Sequence, residues 1–504
     1  MPDATHLMGI DIGAGSLKAT VIDAGGRVRG TGLALVATAT PHSGWTEQDP
    51  EDWYRATCIA VPEALAEAAL TGDDVRAVSF SAGAHTPVLL DEADRPLRPA
   101  ILWSDQRSLQ ESRDLRERHG EEIRDIGFNQ PNPTWTLPQF YWLTRHEPEV
   151  VARTRRVMIA KDYLRFRLSG AWHTDRTEAV GTLLYDCRAD AWSDRLVDLI
   201  GWSRGTLPPL VDPTAEVGRV SAQAARDTGL SRRTRVICGT SDTSAEAYGA
   251  GAVQAGAGTI KLATAGTVSV IGDRPTVHDA LINYPFAVPG LWYTIVGTNS
   301  CASAHKWLRD RVLKAGEDSF DHLDGLAGTV PAGSQGLLFH PYLNGERSPH
   351  WDPLLRADFL GLTMTHGQGH LVRALYEGVA YSLRDCLGAL HDQGLRLREA
   401  RIVGGGARSE LWRQIVCDVL DLPLALPEVT DASFGAALLA GVGSGVFESE
   451  EAAAESCVRF VERREPDPNR AAFYGDMFEL YRLAQSRLAE INHRLGELAG
   501  RTIA

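Results

Sequence analysis

The chain is short of cysteine, lysine and long apolar runs, and each shortage excludes something. Its seven cysteines (58, 187, 238, 301, 386, 417 and 457) are odd in number and form no C-x-x-C pair, so neither a disulfide framework nor a cysteine zinc site is read from them. A reducing compartment fits this usage. The first residues, MPDATHLMGIDIG, have no basic n-region or long apolar h-region and run straight into a strand pattern. No export signal is read there. The longest uncharged stretch, Ala432 to Phe447, is studded with Gly and Ser and falls short of the roughly 20 apolar residues that span a bilayer. The expectation is a cytoplasmic protein with no membrane partner. Acidic residues outnumber basic ones, 65 to 51, for a formal net charge of −14, which argues against a broad basic face for nucleic acid. Any polyanionic ligand is therefore small. Only five basic residues are Lys (18, 161, 261, 306 and 314). A GC-rich genome explains the arginine bias, and a lysine that persists is a candidate for its compact point charge.

What is present reads as a folded globular protein: 504 residues, 44% hydrophobic and 23% charged, enough for two large domains or about three ordinary ones. Leu7–Asp11 is apolar and extended, GAGS turns, Leu17–Asp23 alternates and AGG turns again, an antiparallel meander. A helix pattern over 50–70 follows the start signal Asp49-Pro50, and strand patterns lie at Val75–Ser81 and Val88–Asp91. The segment 205–235 is rich in proline and charge, and Val236-Ile-Cys-Gly opens a glycine-rich section. A domain boundary is expected there, dividing the chain into 1–234 and 235–504. The second half repeats the logic of the first with GTSDTSAE and the strand–turn–strand TIKLATAGTVSVIG. ARIVGGGARS (400–409) leads into a helix, Phe434–Gly441 reads as another helix start, and the last 35 residues form an amphipathic helix.

Several short patterns carry chemistry. In Asp11-Ile-Gly-Ala-Gly-Ser-Leu-Lys18, Gly13 and Gly15 free the backbone so that successive N–H groups, with Ser16, can converge on an anion. Asp11 is then placed to hold a hydrated magnesium ion, and Lys18 to reach a phosphate oxygen. An Asp-Gly turn in a hairpin is more often only a turn. The Walker A and dinucleotide fingerprints are absent, and this turn joins two strands. Lys261-Leu-Ala-Thr-Ala-Gly-Thr267 is a second nest candidate, in which Thr264 and the turn amides by Gly266 could hold another phosphate from the opposite side, although a plain hairpin is the commoner reading. Gly404 and Gly405, in the run to Ser409, either leave a slot for a flat base or ribose or simply make a tight strand-to-helix connection. Asp242 follows a strand near the boundary, either capping the next helix or acting as a general base. His85, Trp103 and Asp105 at strand ends suit a polyhydroxyl ligand, although a core Trp and a satisfied His are commoner.

In this order the segments resemble the FGGY carbohydrate kinases, most closely their xylulose kinases, within the actin-like, sugar-kinase and heat-shock ATPase group. The likeness runs from Met8 to about Arg482 through GIDIGAGSLKATVID, HSGWTEQDPEDWYRA (43–56), RPAILWSDQR (98–107), HTDRTEAVGTLLYD (173–186), HPYLNGERSPHWDP (340–353) and IVGGGARSELWRQ (402–414). It implies an α/β fold of two RNase H-like domains with ATP, Mg2+ and sugar meeting in the cleft between them, and the family often forms dimers. By position it makes Asp242 the general base and Asp11 the organiser of magnesium and phosphate. Gly15, Ser16 and Thr264 fall on phosphate loops, Gly405 and Ser409 on the adenine and ribose site, and Ala84, His85, Trp103 and Asp105 on sugar contacts. Three departures stand out: Ala84 replaces the usual Met, Ser241-Asp242-Thr243 (followed by Glu246) replaces Gly-Asp-Asn, and Gln139 replaces a common lysine.

The implied reaction moves the ATP γ-phosphoryl to a primary hydroxyl, with O5 of D-xylulose as the expected acceptor. Ribulose, L-xylulose, a tetritol or glycerol are alternative acceptors. A nucleotide-driven module like actin or a chaperone, without transfer, is an alternative of another class. A glycosidase with paired carboxylates leaves the glycine turns unexplained.

Overall fold

The computed structural model describes residues 5–316 and 319–499, which build two large sheets of the same design. In the first, strands β1 (His6–Ile12), β2 (Ser16–Asp23) and β3 (Val28–Leu35) form an antiparallel meander. β4 (Val75–Ala82) lies parallel to β1 on its other side. β5 (Glu216–Arg219), β6 (Arg235–Ile237) and β7 (Thr240–Ser241) complete the order β5-β6-β4-β1-β2-β3, with β7 also on β4. In the second, β8 (Ala257–Leu262) and β9 (Gly266–Gly272) are a hairpin extended by β11 (Trp292–Thr298) and β10 (Ile282–Pro285). On its other side β12 (Glu399–Val403) and β13 (Leu424–Pro427) add in parallel, and β14 (Phe460–Arg464) closes the edge. Each sheet is thus a meander whose first strand also pairs in parallel with a later one. The duplication expected from the sequence is present.

Burial follows strand position. β1 is almost wholly buried, as a central strand covered on both faces must be, whereas the outer β3 alternates exposed and buried residues. Helix α1 (Pro50–Glu67) covers β2 and β3 on one face. It starts where the sequence placed it, with the Asp49 carboxylate accepting from the Glu51 N–H and Pro50 in the first turn. Helices α2 (Ala160–Ser169) and α3 (Arg176–Gly181) flank this lobe, and α4 (Asp242–Gly249) leads from β7 toward β8. In the second lobe α5 (Gln368–Asp392) and α6 (Glu410–Leu420) pack with Tyr376 stacked on Trp412 at 4.4 Å.

Residue 235, where the sequence suggests a new domain, opens β6 of the first sheet. The second sheet begins at Ala257. The proline- and charge-rich stretch before residue 235 belongs to the first lobe, supplying its edge strand β5 and burying Val220, Ala224 and Leu230, so the sheets divide after it. Helix α7 (Ala432–Gly443) also returns from the second lobe to pack on β1, β4 and α4. Gly9 makes this approach feasible: a Cβ there would sit 1.8 Å from the Ser433 carbonyl oxygen. The last helix, α8 (Pro468–Ala499), buries Tyr474 and Tyr481 against the second lobe and leaves Leu480, Leu483 and Leu495 exposed. Among the described residues no helix is long and apolar enough to cross a membrane.

Candidate active site

Three adjacent strand ends assemble the centre of the cleft. Asp11 on β1 is level with Ser81 on β4, and Ser241 on β7 is level with Ala82. Asp11, the Gly83–His85 loop and Asp242 are therefore neighbours in space, although 231 residues separate the two aspartates in sequence. Asp11 is half-buried and accepts from Ser81 Oγ at 2.7 Å. Burial pushes its carboxyl well above the usual range, and the negative charges of Asp242, Asp431 and Glu246 add to that rise. The turn after it is held from outside. Gly13 N–H donates to the Ser16 carbonyl at 2.9 Å, Val36 N–H donates to Gly15, and Thr38 and Gln48 donate to Ala14. Gly15 stands in open space at the tip.

Lys18, directly across the hairpin from Asp11, is not free: its Nζ lies 2.6 Å from Asp431 Oδ2. Asp431 caps α7. Burial pushes its carboxyl up, but Lys18 and Ser433 outweigh this and hold it below the usual range. On the same side of the cleft Asp242 opens α4, with Oδ1 accepting from the Thr243 N–H at 2.5 Å and its hydroxyl at 3.1 Å. Oδ2 lies 4.0 Å from the point where a Gly83 side chain would begin. Burial raises Asp242, opposed by Lys261 and by the Thr243 hydrogen bonds. One helical turn on, Glu246 accepts from Lys261 Nζ at 2.7 Å.

The four residues expected to meet a sugar divide into two pairs. Trp103 is 47% exposed, and its Cδ1 lies 3.2 Å from the same Gly83 point that Asp242 approaches. Ala84, next to Gly83 in sequence, is half-buried. His85, by contrast, is buried in a left-handed conformation (φ 67°) with both ring nitrogens engaged. Its Nδ1 donates to the Gly181 carbonyl, and Nε2 accepts from the Tyr284 hydroxyl at 2.7 Å. Burial lowers its pKa to about 4, so the ring is neutral. Asp105 is 1% exposed, and both oxygens are spent on the Arg107 guanidinium (2.9 and 2.8 Å), with the Thr46 and Arg107 N–H groups added. Of the four, His85 and Asp105 are buried with their polar atoms on protein partners, whereas Trp103 is exposed and Ala84 half-buried. Gln139, at the family's lysine position, is buried and donates to the Leu102 carbonyl just before Trp103.

On the second lobe Thr264 is exposed at the hairpin tip, and its carbonyl accepts from the Cys301 N–H at 3.1 Å and Ser303 Oγ at 2.7 Å. Gly266 is buried beneath the tip. Gly404 has φ 91°, and a Cβ there would lie 2.7 Å from the Leu262 carbonyl oxygen, so only glycine fits this crossing; Gly405 faces open space. Ser409 is buried as the cap of α6, accepting from the Trp412 N–H at 2.9 Å and donating to Asp324. Its hydroxyl is thus committed to the protein. A cavity of about 470 Å³ opens beside Ser303, lined also by Lys306, Trp307 and Arg311.

Among the described residues no three His, Cys, Asp or Glu side chains converge as a metal cage. The oxygen donors present, Asp11 beside Ser81 with Asp242 nearby, suit a hard cation held by one carboxylate, water and substrate phosphates, which is how magnesium usually binds. Sequence reasoning missed Ser81, Asp431 and the Lys261–Glu246 pair. Lysine scarcity was the available signal, since two of the five lysines converge here.

Comparison with known proteins agrees with this layout. Profiles of the FGGY family of carbohydrate kinases match in order: the N-terminal domain over residues 6–249 and the C-terminal domain over 258–444. A xylulose kinase of Lactococcus lactis is 32% identical over 98% of this chain and 99% of its own. The crystal structure of xylulose kinase from Rhodospirillum rubrum superposes with a TM-score of 0.90 at 30% identity, covering 97% of this chain and 100% of that one. A gluconokinase of Bacillus subtilis is 28% identical over 96% of each chain. With both family domains matched in sequence order and the paired meanders shared with solved kinases, the chain belongs to the FGGY family of carbohydrate kinases, two actin-like, RNase H-like domains forming a phosphotransferase that acts on an alcohol group of a sugar.

Proposed function

We propose that the enzyme transfers the γ-phosphoryl group of ATP to a primary hydroxyl of a small ketose, converting D-xylulose to D-xylulose 5-phosphate. The observation that carries this reading is the position of Asp242: a half-buried carboxylate where α4 passes from one sheet to the other, with Trp103 on one side and Asp11 on the other. Phosphoryl transfer needs positioning and charge stabilisation more than covalent chemistry from the protein. The sugar lies on the exposed face of Trp103 with its hydroxyl at Asp242 Oδ2, while Thr243 holds Oδ1. Burial raises the Asp242 carboxyl toward the working pH, which makes it a better proton acceptor. It takes the hydroxyl proton as the new O–P bond forms.

The Gly13–Ser16 turn and Thr264 hold the phosphates from opposite sides, and Gly404 and Gly405 leave room for the nucleoside. Magnesium bound with ATP supplies charge neutralisation on the phosphates. Asp11 would hold it through water, with Ser81 fixing the carboxylate. Water also accepts phosphoryl groups, so closure of the lobes on the sugar limits futile hydrolysis.

Ala84 supports a second acceptor reading, because a half-buried methyl group next in sequence to Gly83 stands where the resemblance expects a larger Met, leaving space for a different polyol. A panel of D-xylulose, ribulose, L-xylulose, gluconate, a tetritol and glycerol, followed by coupled ADP detection with product identification, tests both. Highest kcat/KM with D-xylulose is expected. Preference for another acceptor replaces the substrate, and sugar-independent ATP hydrolysis with no phosphosugar overturns the kinase reading.

A further inference from the structure

The mechanism above uses neither lysine of the cleft, Lys18 or Lys261. Lys261 lies near the end of β8, three residues before Thr264, and its side chain is 33% exposed. Its Nζ is 2.7 Å from Glu246, on the same face of α4 as Asp242 because the two acids are four residues apart. Asp242 and Asp11 also act on it: burial works against its charge, but Glu246, Asp242 and Asp11 together raise its pKa. It therefore stays an ammonium in the gap between the hairpin tip and the residue proposed to take the hydroxyl proton. Lys18, its counterpart on the first hairpin, is held by Asp431.

We propose, resting on the kinase reading, that Lys261 is a catalytic residue whose Nζ donates to a non-bridging oxygen of the transferring γ-phosphoryl, and that Glu246 is the positioning residue that aims it. The acceptor oxygen forms a bond to Pγ, and the bond from Pγ to the β,γ-bridging oxygen breaks with its electron pair leaving on ADP. The hydroxyl proton goes to Asp242, and Lys261 keeps all its protons throughout. A compact ammonium suits this role, since negative charge spreads over three equatorial oxygens and a single mobile donor can follow it. Glu246, itself raised by burial against the pull of Lys261, can share the ammonium with the more highly charged phosphoryl group.

The test uses the full-length chain with K261M, K261A, K261R and E246Q. Thermal unfolding and ADP titration check that each variant folds and binds nucleotide. K261M is expected to lower kcat about 100-fold while the sugar KM and ADP affinity change less than threefold. E246Q is expected to lower kcat about tenfold. Methylammonium or ethylammonium should restore part of the K261A rate in proportion to its concentration, and K261R should remain well below wild type. Wild-type kcat in K261M, a loss confined to nucleotide or sugar affinity, or no amine rescue of folded K261A overturns the inference while the kinase reading stands. Absence of sugar-dependent ADP release from the wild-type enzyme overturns both.

Discussion

The two hairpins that face each other across the cleft use one device in two ways. In each, a lysine from a strand beside the glycine turn pairs with a carboxylate on a helix of the first lobe: Lys18 with Asp431 at the start of α7, Lys261 with Glu246 on α4. Their partners differ in freedom. Asp431 also accepts from the amide and hydroxyl of Ser433, whose Oγ lies 2.7 Å from Thr20 Oγ1, so the first pair is stitched into the packing of α7 on the sheet. Glu246 has no such extra hydrogen bond among the described residues and shares its helix face with Asp242. The same ion pair is structural on one side and available to the reaction on the other, because its neighbours decide how much is lost when it opens.

The largest effect is expected at Asp242, the carboxylate that shares its helix face with Glu246 on the second side. Asp242→Asn is expected to lower kcat by about 10³-fold or more, in line with the upper range for general acid–base catalysis, while ADP still binds by titration calorimetry. Next, Asp11→Asn should lower kcat/KM about 100-fold and raise the magnesium concentration needed for half-maximal rate, measured by titrating Mg2+ at fixed ATP. The smallest of the three is Lys18→Met: little change in kcat or in the KM for ATP, and a stability loss of about 1 kcal/mol in urea unfolding. That figure is modest because the pair is about one-third exposed. An equal kcat effect from Lys18→Met and K261M would erase the distinction between the hairpins.

Protonation sharpens it further. Asp242 is raised, so kcat/KM should fall on acidification at a pH above the ordinary carboxylate range. His85 is neutral above about pH 4 and adds no inflection near 6.5. Its effect is on stability. His85 and His305, both lowered to about 4 by burial, bind fewer protons folded than unfolded. Their contribution is complete above about pH 6.5 and is lost as the pH falls toward 4. Urea midpoints at pH 7 and pH 5 should differ less in His85→Gln than in wild type.

Much of the candidate site was legible because its proposed parts lie in contiguous strings. Asp11 with its glycine turn, the Thr264 turn and the Gly404–Gly405 slot are local patterns, and local backbone chemistry is what such patterns report. Asp242 was legible as a candidate with two roles, and its position in the cleft supports the catalytic one. His85 and Asp105 show where this reading stopped. Nothing in SAGAHTP or LWSDQR says that Tyr284 and Gly181 will take both imidazole nitrogens, or that Arg107 will take both carboxylate oxygens. Lys18 meets a partner 413 residues away.

Alternation of apolar residues, glycine turns and cap signals by themselves determined two meanders, the start of α1 and the family to which the chain belongs, since each depends on residues a few positions apart. Which polar groups face the cleft, where the lobes divide and how α7 returns to the first sheet were decided only on folding. Those outcomes depend on which distant surfaces bury one another, and burial is a property of the packed whole.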